Sequence, residues 1–427
     1  MNKAFENKKM LKNKLAILIF LAAAVVRIFY VFSVSYAPLE NDAKEYDTLG
    51  IFLSQGKGYV NVSGEPTAYR PPIYPLFLGA IYFIAGHNLL WVRLFQAFMG
   101  AAICVLAYLI AIKIFNEKIA TLSGVLCCLY PPLVVDVSQI MTETLFSFLL
   151  MLGIWLLISR RGSVYLLLSG FVFSLALLTR PFLVFFLPFV CYWLILRYKD
   201  GAPKKMAILI AGILIALLPW TIRNYYRLGT FVPFANVGGL TLYNSYVVPQ
   251  KGFGFNSIKS LDDEYFEISD ETLRNKFLIR KTIEYVKNKP AKVIQLAAIK
   301  MLLFIYPFDG YWYPVSFGSK YNIFWGLILC FSMLGIIIHL DDNDINKKLI
   351  IFLFISYIIG IIVFYGSPRF RLPIDPFLIC FAAGGFVYLT KKNSFASFLT
   401  VLINVMVFMI FRYFNYQELF HYFKNWI

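Results

Sequence analysis

The chain has 427 residues, of which 60% are hydrophobic, 18% aromatic and only 15% charged, with a mean hydropathy of +0.70. Soluble globular chains are nearer half apolar and a quarter charged, and disordered chains lack this apolar and aromatic content, so both classes are excluded. The net charge of +17 would suggest a nucleic acid partner in a soluble protein; here it reads as the Lys/Arg excess of cytoplasmic loops, and no nucleic acid partner is expected.

The apolar runs are long and continuous, each near the roughly 20 residues a spanning helix needs, and lack the short alternation of a membrane barrel. The expected fold class is therefore an all-α polytopic membrane protein. Lys3, Lys8, Lys9, Lys12 and Lys14 place the N-terminus in the cytoplasm. They lead into a first helix over 15–35, read as an uncleaved anchor. A polar outside loop follows, and 38–88 is treated as one first outside unit with juxtamembrane helices. Its apolar stretch 73–85 is too short to be read as a span.

Further helices are expected over 89–112, 119–135, 140–158, 164–178, 181–196 and 206–220. With this parity Lys113 and Lys118, then Arg160 and Arg161, then Arg197, Lys199, Lys204 and Lys205 all fall on the inside. The segment 223–320 lies outside, with a surface helix over 270–288 capped by Asp270 and followed by Pro290. Residues 291–306 either lie along the outer surface or form part of a hairpin. Helices over 321–340, 349–365, 372–389 and 395–411 complete about 11 crossings, in a range of about 9 to 13. The chain is read as a single integral-membrane domain, 1–427. The six cysteines all lie in apolar segments and are expected to be free thiols, and the three histidines make no metal-ligand pattern.

Chemistry concentrates on the outer side. Asp42 and Tyr46 are spaced i, i+4 and share a helical face. Gly56-Lys-Gly58-Tyr59 signals a turn. Tyr69-Arg70-Pro71-Pro72-Ile-Tyr74-Pro75 holds Arg70 in stiff, extended chain. Solvated loop charge is the alternative reading. Arg93, Arg180, Arg223, Arg369 and Arg371 also fall where the positive-inside rule predicts depletion; snorkelling at headgroups competes with a pocket for an anion such as phosphate. Glu143, just inside a helix, demands a wet cavity or a partner. The stretch 231–246, with Asn236 and Gly238-Gly239, is read as an acceptor groove or a plain turn.

The ordered set Asp42, Tyr46, Gly56-x-Gly58-Tyr59, Arg70-Pro-Pro-x-Tyr74-Pro75, Arg93, Tyr130-Pro131, Thr142-Glu143, Arg180-Pro181, Pro219-x-x-x-Arg223-Asn224 and Arg369-x-Arg371-x-Pro373 resembles the bacterial GT-C membrane glycosyltransferases. These are related to the protein O-mannosyltransferases and the lipid A aminoarabinose transferases. The resemblance runs from about residue 38 to about 376 and implies a GT-C fold. It implies an inverting transfer of a hexose or pentose from a polyprenyl-phosphate donor to a lipid, glycan or protein acceptor, at the outer face of the plasma (inner) membrane.

By the same resemblance Asp42 is the general base and Arg70 touches the donor phosphate, with Arg223, Arg180 and Arg371 as further phosphate ligands by location. Tyr46, Tyr74, Glu143, Arg93 and Arg369 line the substrate groove. Some relatives carry adjacent Asp and Glu in this loop; here Ala43 follows Asp42, and Glu40 is the alternative base. No cofactor is required: a divalent metal is permitted, but no clustered ligand set indicates one. A lipid-linked-sugar flippase, and a glycan polymerase or ligase using a polyprenyl-diphosphate donor, are the competing functions.

Overall fold

A computed structural model describes residues 2–159, 162–247, 263–305, 323–340, 342–364, 366 and 368–391. The expected helix over 395–411, the loop residues Arg160 and Arg161, and the start of the helix expected from 321 lie outside these. No strand occurs among the described residues, which fold into α1 (Asn2–Ser33), α2 (Asn41–Ser54), α3 (Ile73–Ala85), α4 (Leu89–Ile114), α5 (Glu117–Leu129), α6 (Pro131–Val135), α7 (Glu143–Ser159), α8 (Ser163–Leu177), α9 (Leu187–Tyr198), α10 (Ala202–Leu228), α11 (Gly238–Tyr246), α12 (Asp263–Glu267), α13 (Glu271–Asn288), α14 (Pro290–Ile305), α15 (Ile323–Ile338), α16 (Ile345–Val363), α17 (Pro368–Arg371) and α18 (Asp375–Lys391). The class is all-α, as expected.

Among the described residues, Met10–Ser33, Leu89–Ile114, Pro181–Leu228 and Ile345–Val363 are long and apolar enough to cross a membrane, and the bent pair Glu117–Leu129 and Pro131–Ser138 makes a fifth if it counts as one span. Five shorter apolar helices pack with them. The chain is a multi-pass membrane protein. Thirteen residues of α3 rise about 20 Å, short of the roughly 30 Å of hydrocarbon.

Two boundaries differ from expectation in ways that matter. The helix expected over 119–135 is broken at Tyr130 and bends by 56°, because Pro131 and Pro132 supply no N–H to carry the ladder across the join. A short 3-10 turn, Asp136–Ser138, follows α6 and leads to α7. Second, α10 does not stop near residue 220. It continues through Pro219 to Leu228 and is closed by Gly229 at φ 67°, a left-handed cap that a residue with a Cβ would resist. Arg223 and Asn224 are therefore helical. The N-cap expected at Asp270 is present: its carboxylate accepts from the Leu273 amide at 2.8 Å. Pro290 opens α14 directly after that helix ends.

One apolar core joins α1, α3, α4, α5, α7, α8, α9, α16 and α18, with Trp193, Tyr108, Phe146 and Phe381 fully buried in it. Where two helices must touch backbone to backbone, glycines face each other. A Cβ on Gly170 of α8 would strike the Leu209 carbonyl of α10, and one on Gly212 of α10 would strike the Leu167 carbonyl of α8. Gly50 of α2 and Gly79 of α3 make a similar pair, where added Cβ atoms would come within 2.8 Å of Leu78 and 2.9 Å of Leu53. Small residues at such crossings permit the close approach on which helix packing in lipid depends. The α2–α3 contact seats the first loop on the bundle.

Candidate active site

Asp42 occupies the first turn of α2, where the unsatisfied N–H groups favour a carboxylate. Its Oδ1 accepts from Arg70 Nη2 at 2.7 Å, and Glu45, one turn further, accepts from Arg70 Nε at 2.6 Å. The side chain of Arg70 is 8% exposed and that of Asp42 18%, so the guanidinium is sunk and the carboxylate stands nearer the surface. Tyr46, 5% exposed, lies beneath Arg70, its ring 5.2 Å from the guanidinium carbon. Tyr46 meets Tyr74 edge to face at 5.2 Å. Tyr74 is wholly buried, and its hydroxyl donates to Gln96 Oε1 at 2.9 Å.

Three more elements bring charge to the same place. Glu143 opens α7 with its side chain 1% exposed, and it is ion-paired to Arg369 of α17 and, at 3.4 Å, to Arg180, which follows α8 and is the N-cap residue of the 3-10 turn Pro181–Phe186. Thr142 donates to its other oxygen at 3.4 Å. Arg369 Nη1 also stands 3.7 Å from Asp42 Oδ2. A buried carboxylate is tolerable only with such partners; Glu143 holds two arginines beside the first-loop acid. Phe370 lies under Arg180, 4.8 Å from its guanidinium carbon. Burial alone raises the Asp42 carboxyl, but the charges of Arg70 and Arg369, the hydrogen bond from Arg70 and the charge of Arg180 outweigh it and hold the carboxyl below its usual range.

Asp42, Arg70, Tyr46, Glu143, Arg180 and Arg369 are thus brought together, with Tyr74 packed behind Tyr46; Arg93, Arg223, Arg371 and Glu40 make their contacts elsewhere. Arg93 lies over Tyr36, 3.4 Å from the ring centroid, and donates to the Ser138 carbonyl at 3.0 Å. Arg223 donates to the Tyr59 carbonyl at 2.5 Å and the Thr67 carbonyl at 2.6 Å, bracing the first loop from α10. Arg371 lies over Trp325 at 4.0 Å and donates to the Phe304 carbonyl at 3.4 Å. Glu40 precedes α2 as its N-cap residue, with no side-chain capping bond.

Two residues of this region were not selected from the sequence. Asp136, in the turn after the broken helix, accepts from Thr144 Oγ1 at 2.5 Å and lies within electrostatic reach of Arg180 and Arg369. A lone acid in an apolar run, five residues after a Pro pair begins, was the available signal. Gln96 donates to the Val137 and Gln139 carbonyls at 2.8 and 2.7 Å and so ties that turn to α4 and Tyr74. No group of three or more His, Cys, Asp or Glu among the described residues is placed to hold a metal ion.

Residues 69–222 match the family model described as dolichyl-phosphate-mannose-protein mannosyltransferase. The whole chain is similar in structure to the archaeal oligosaccharyltransferase AglB from Archaeoglobus fulgidus in complex with an inhibitory peptide and a dolichol-phosphate. That likeness has a TM-score of 0.56 at 13% identity, over 97% of this chain and 55% of that one. The apo form of the A. fulgidus enzyme gives a TM-score of 0.53 at 13% identity, over 97% and 56%. The chain has the GT-C fold. The GT-C resemblance carried by the ordered motifs is borne out at that level. This GT-C chain spans about half the length of the AglB chains it matches. ArnT from Cupriavidus metallidurans bound to undecaprenyl phosphate gives a TM-score of 0.44 at 13% identity, over 87% of this chain and 78% of that one. No curated protein matches the chain.

Proposed function

We propose that this GT-C chain is an inverting glycosyltransferase that moves a sugar from a polyprenyl-phosphate donor to an acceptor hydroxyl at the outer face of the plasma membrane. The observation that carries the proposal is the placement of one accessible carboxylate, Asp42, against three guanidiniums, Arg70, Arg180 and Arg369. The family match over 69–222 and the likeness to a fold that in AglB accommodates a dolichol-phosphate support the choice of donor.

In the proposed step the acceptor oxygen attacks the anomeric carbon from the face opposite the phosphate. Its proton passes to Asp42, held ionised by its arginines. The anomeric C–O bond breaks with its electron pair going to the polyprenyl phosphate, and the anomeric centre inverts. The departing phosphate gathers negative charge, and Arg180 and Arg369 are the groups proposed to meet it, as the cations that Glu143 sets beside Asp42. Arg70 fixes the base and shares that field. Tyr46 and Phe370 form the apolar floor. No metal is assigned a role, because the arginines supply the required positive charge.

An outer-face site with a cytoplasmic N-terminus is supported by the segregation of charge along the helices. Lys113 ends α4 and Lys199, Lys204 and Lys205 join α9 to α10, all at the helix ends remote from Asp42.

Reconstitution with labelled polyprenyl-phosphate sugar tests the proposal. Transfer to added acceptor is expected, and Asp42→Asn should lower it by about 10²- to 10⁴-fold, the usual contribution of a general base, while donor binding persists. Full activity in Asp42→Asn would remove Asp42 as the base. Movement of labelled donor across the membrane without transfer would replace the enzyme with a flippase, and use of diphosphate-linked donor alone would make it a polymerase or ligase.

A further inference from the structure

The first loop approaches Arg70 through Thr67-Ala68-Tyr69, whose polar backbone is held partly within the loop, where the Thr67 amide donates to the Tyr59 carbonyl at 3.3 Å, and partly from outside it, where Arg223 donates to the Thr67 carbonyl at 2.6 Å and both polar groups of Ala68 are met by other segments. From α13, 204 positions later in sequence, Glu271 Oε2 accepts from Thr67 Oγ1 at 2.6 Å, and Oε1 accepts from the Ala68 amide at 2.7 Å. Asn236 Nδ2 donates to the same Oε1 at 2.9 Å, and the Asn236 backbone N–H donates to the Ala68 carbonyl at 2.8 Å. Thr67 Oγ1 passes the connection on by accepting from the Tyr69 amide at 3.0 Å. Tyr59 closes the far side, its hydroxyl donating to the Arg70 carbonyl at 2.9 Å. Ala68 has no exposed surface.

This arrangement exceeds what α13 needs for itself. Asp270 already caps that helix by accepting from Leu273 N, so Glu271 is not spent on its own N-terminus. A single carboxylate accepting three hydrogen bonds from two other segments is a strong, directional anchor, because charged acceptors bind shorter and tighter than neutral ones. It grips two residues before the guanidinium that holds Asp42. Displacement of the chain at Ala68 would carry Arg70 with it, since Pro71 and Pro72 stiffen the segment beyond.

We infer that Glu271 is a positioning residue: it is the side chain by which the outside segment around α13 fixes where Arg70, and through it Asp42, stands. Its consequence for transfer rests on the function proposed above; its consequence for the Asp42–Arg70 pair does not.

The test is the titration of Asp42 in Glu271→Gln. The amide oxygen can still accept from Ala68, but the charge that strengthened all three bonds is gone, and Thr67 can bond to the amide nitrogen only by turning its hydroxyl into an acceptor, so the anchor is weakened with little change of volume. As Arg70 loosens, the carboxyl loses part of its cationic stabilisation from among Arg70, Arg369 and Arg180. The Asp42 carboxylate infrared band, identified by its loss in Asp42→Asn, should then titrate about half a unit to one unit higher than in the parent protein. In transfer assays the acid limb of the kcat profile should move upward by the same amount, with the KM for donor changed less than kcat. A variant that merely lowered the folded fraction would scale the profile at every pH and leave its limb in place.

Thr67→Val, which removes only the hydroxyl link, should give a smaller shift of the same sign and serves if Glu271→Gln does not accumulate. An unmoved Asp42 band in both variants, or in Thr67→Val alone when that is the one that accumulates, overturns the positioning role. A moved band in a protein that shows no transfer overturns the enzymatic reading and leaves the positioning role intact.

Discussion

At the scale of single residues, the site is a balance of buried charge. Asp42 ionises more easily than an ordinary carboxyl because the neighbouring arginines outweigh the cost of its burial. A depressed folded-state pKa stabilises the fold above the unfolded-state value and is lost as pH falls through the folded one. Activity that depends on ionised Asp42 should therefore persist through the usual carboxylate range and fail only below it. Arg70→Gln, which removes the nearest cation, should move that limb upward; the pH dependence of residual kcat checks it. Glu143 is the opposite case, an acid with almost no exposure between Arg369 and Arg180. Glu143→Ala leaves two partly buried guanidiniums short of a counter-charge and should cost up to about 3–5 kcal/mol, the range for breaking a fully buried pair, read as a fall in the thermal midpoint in detergent. Asp42, Arg70 and Glu143 were legible in the sequence because ionisable residues are conspicuous in an apolar chain. Their partnership was not: 226 positions separate Glu143 from Arg369, and no local pattern encodes a contact of that range.

At the scale of elements, helix existence was legible and helix interruption less so. The apolar runs announced α4, α8 and α16, and Asp270 announced the start of α13. The break at Tyr130 was hidden because the hydrophobic run continues across it, although Pro131-Pro132 stood in the middle. That break is what brings Asp136 and Thr144 near the site. Likewise α10 ran eight residues past its expected end, so Arg223 reaches the first loop from a rigid helix. Crossings between helices depend on side chains that are absent. Gly212→Leu should push α10 off the Leu167 carbonyl of α8 and destabilise the protein by at least the roughly 1–3 kcal/mol typical of overpacking, read as a lowered denaturation midpoint. Gly201, which meets nothing, is the matched control and should tolerate alanine.

At the scale of the whole molecule, charge is sorted by end. The helix ends near α2 and α17 carry the carboxylates and arginines of the site, while Lys113, Lys118, Lys199 and Lys205 gather at the other. Composition alone spoke of a membrane protein; the order of basic loops divided its charge into two populations. A cysteine at Lys57 should react with a membrane-impermeant maleimide in intact cells, whereas one at Lys118 should react only after permeabilisation. The parent protein should label weakly, since Cys104, Cys127, Cys128, Cys330 and Cys380 are buried and Cys191 only partly exposed. Labelling in the reverse order would invert the proposed orientation.

The ion pair between Glu143 and Arg369 also has a history within the life of each molecule. Ribosomes add about 5–20 residues per second, so the 226 positions between the two correspond to about 11–45 s during which Glu143 exists and Arg369 does not. Arg180, reached far sooner, is the counter-charge in that interval. The pocket is therefore finished late in synthesis, and a chain arrested before α17 would hold Asp42 and Arg70 but lack Arg369, one wall of the proposed anion site.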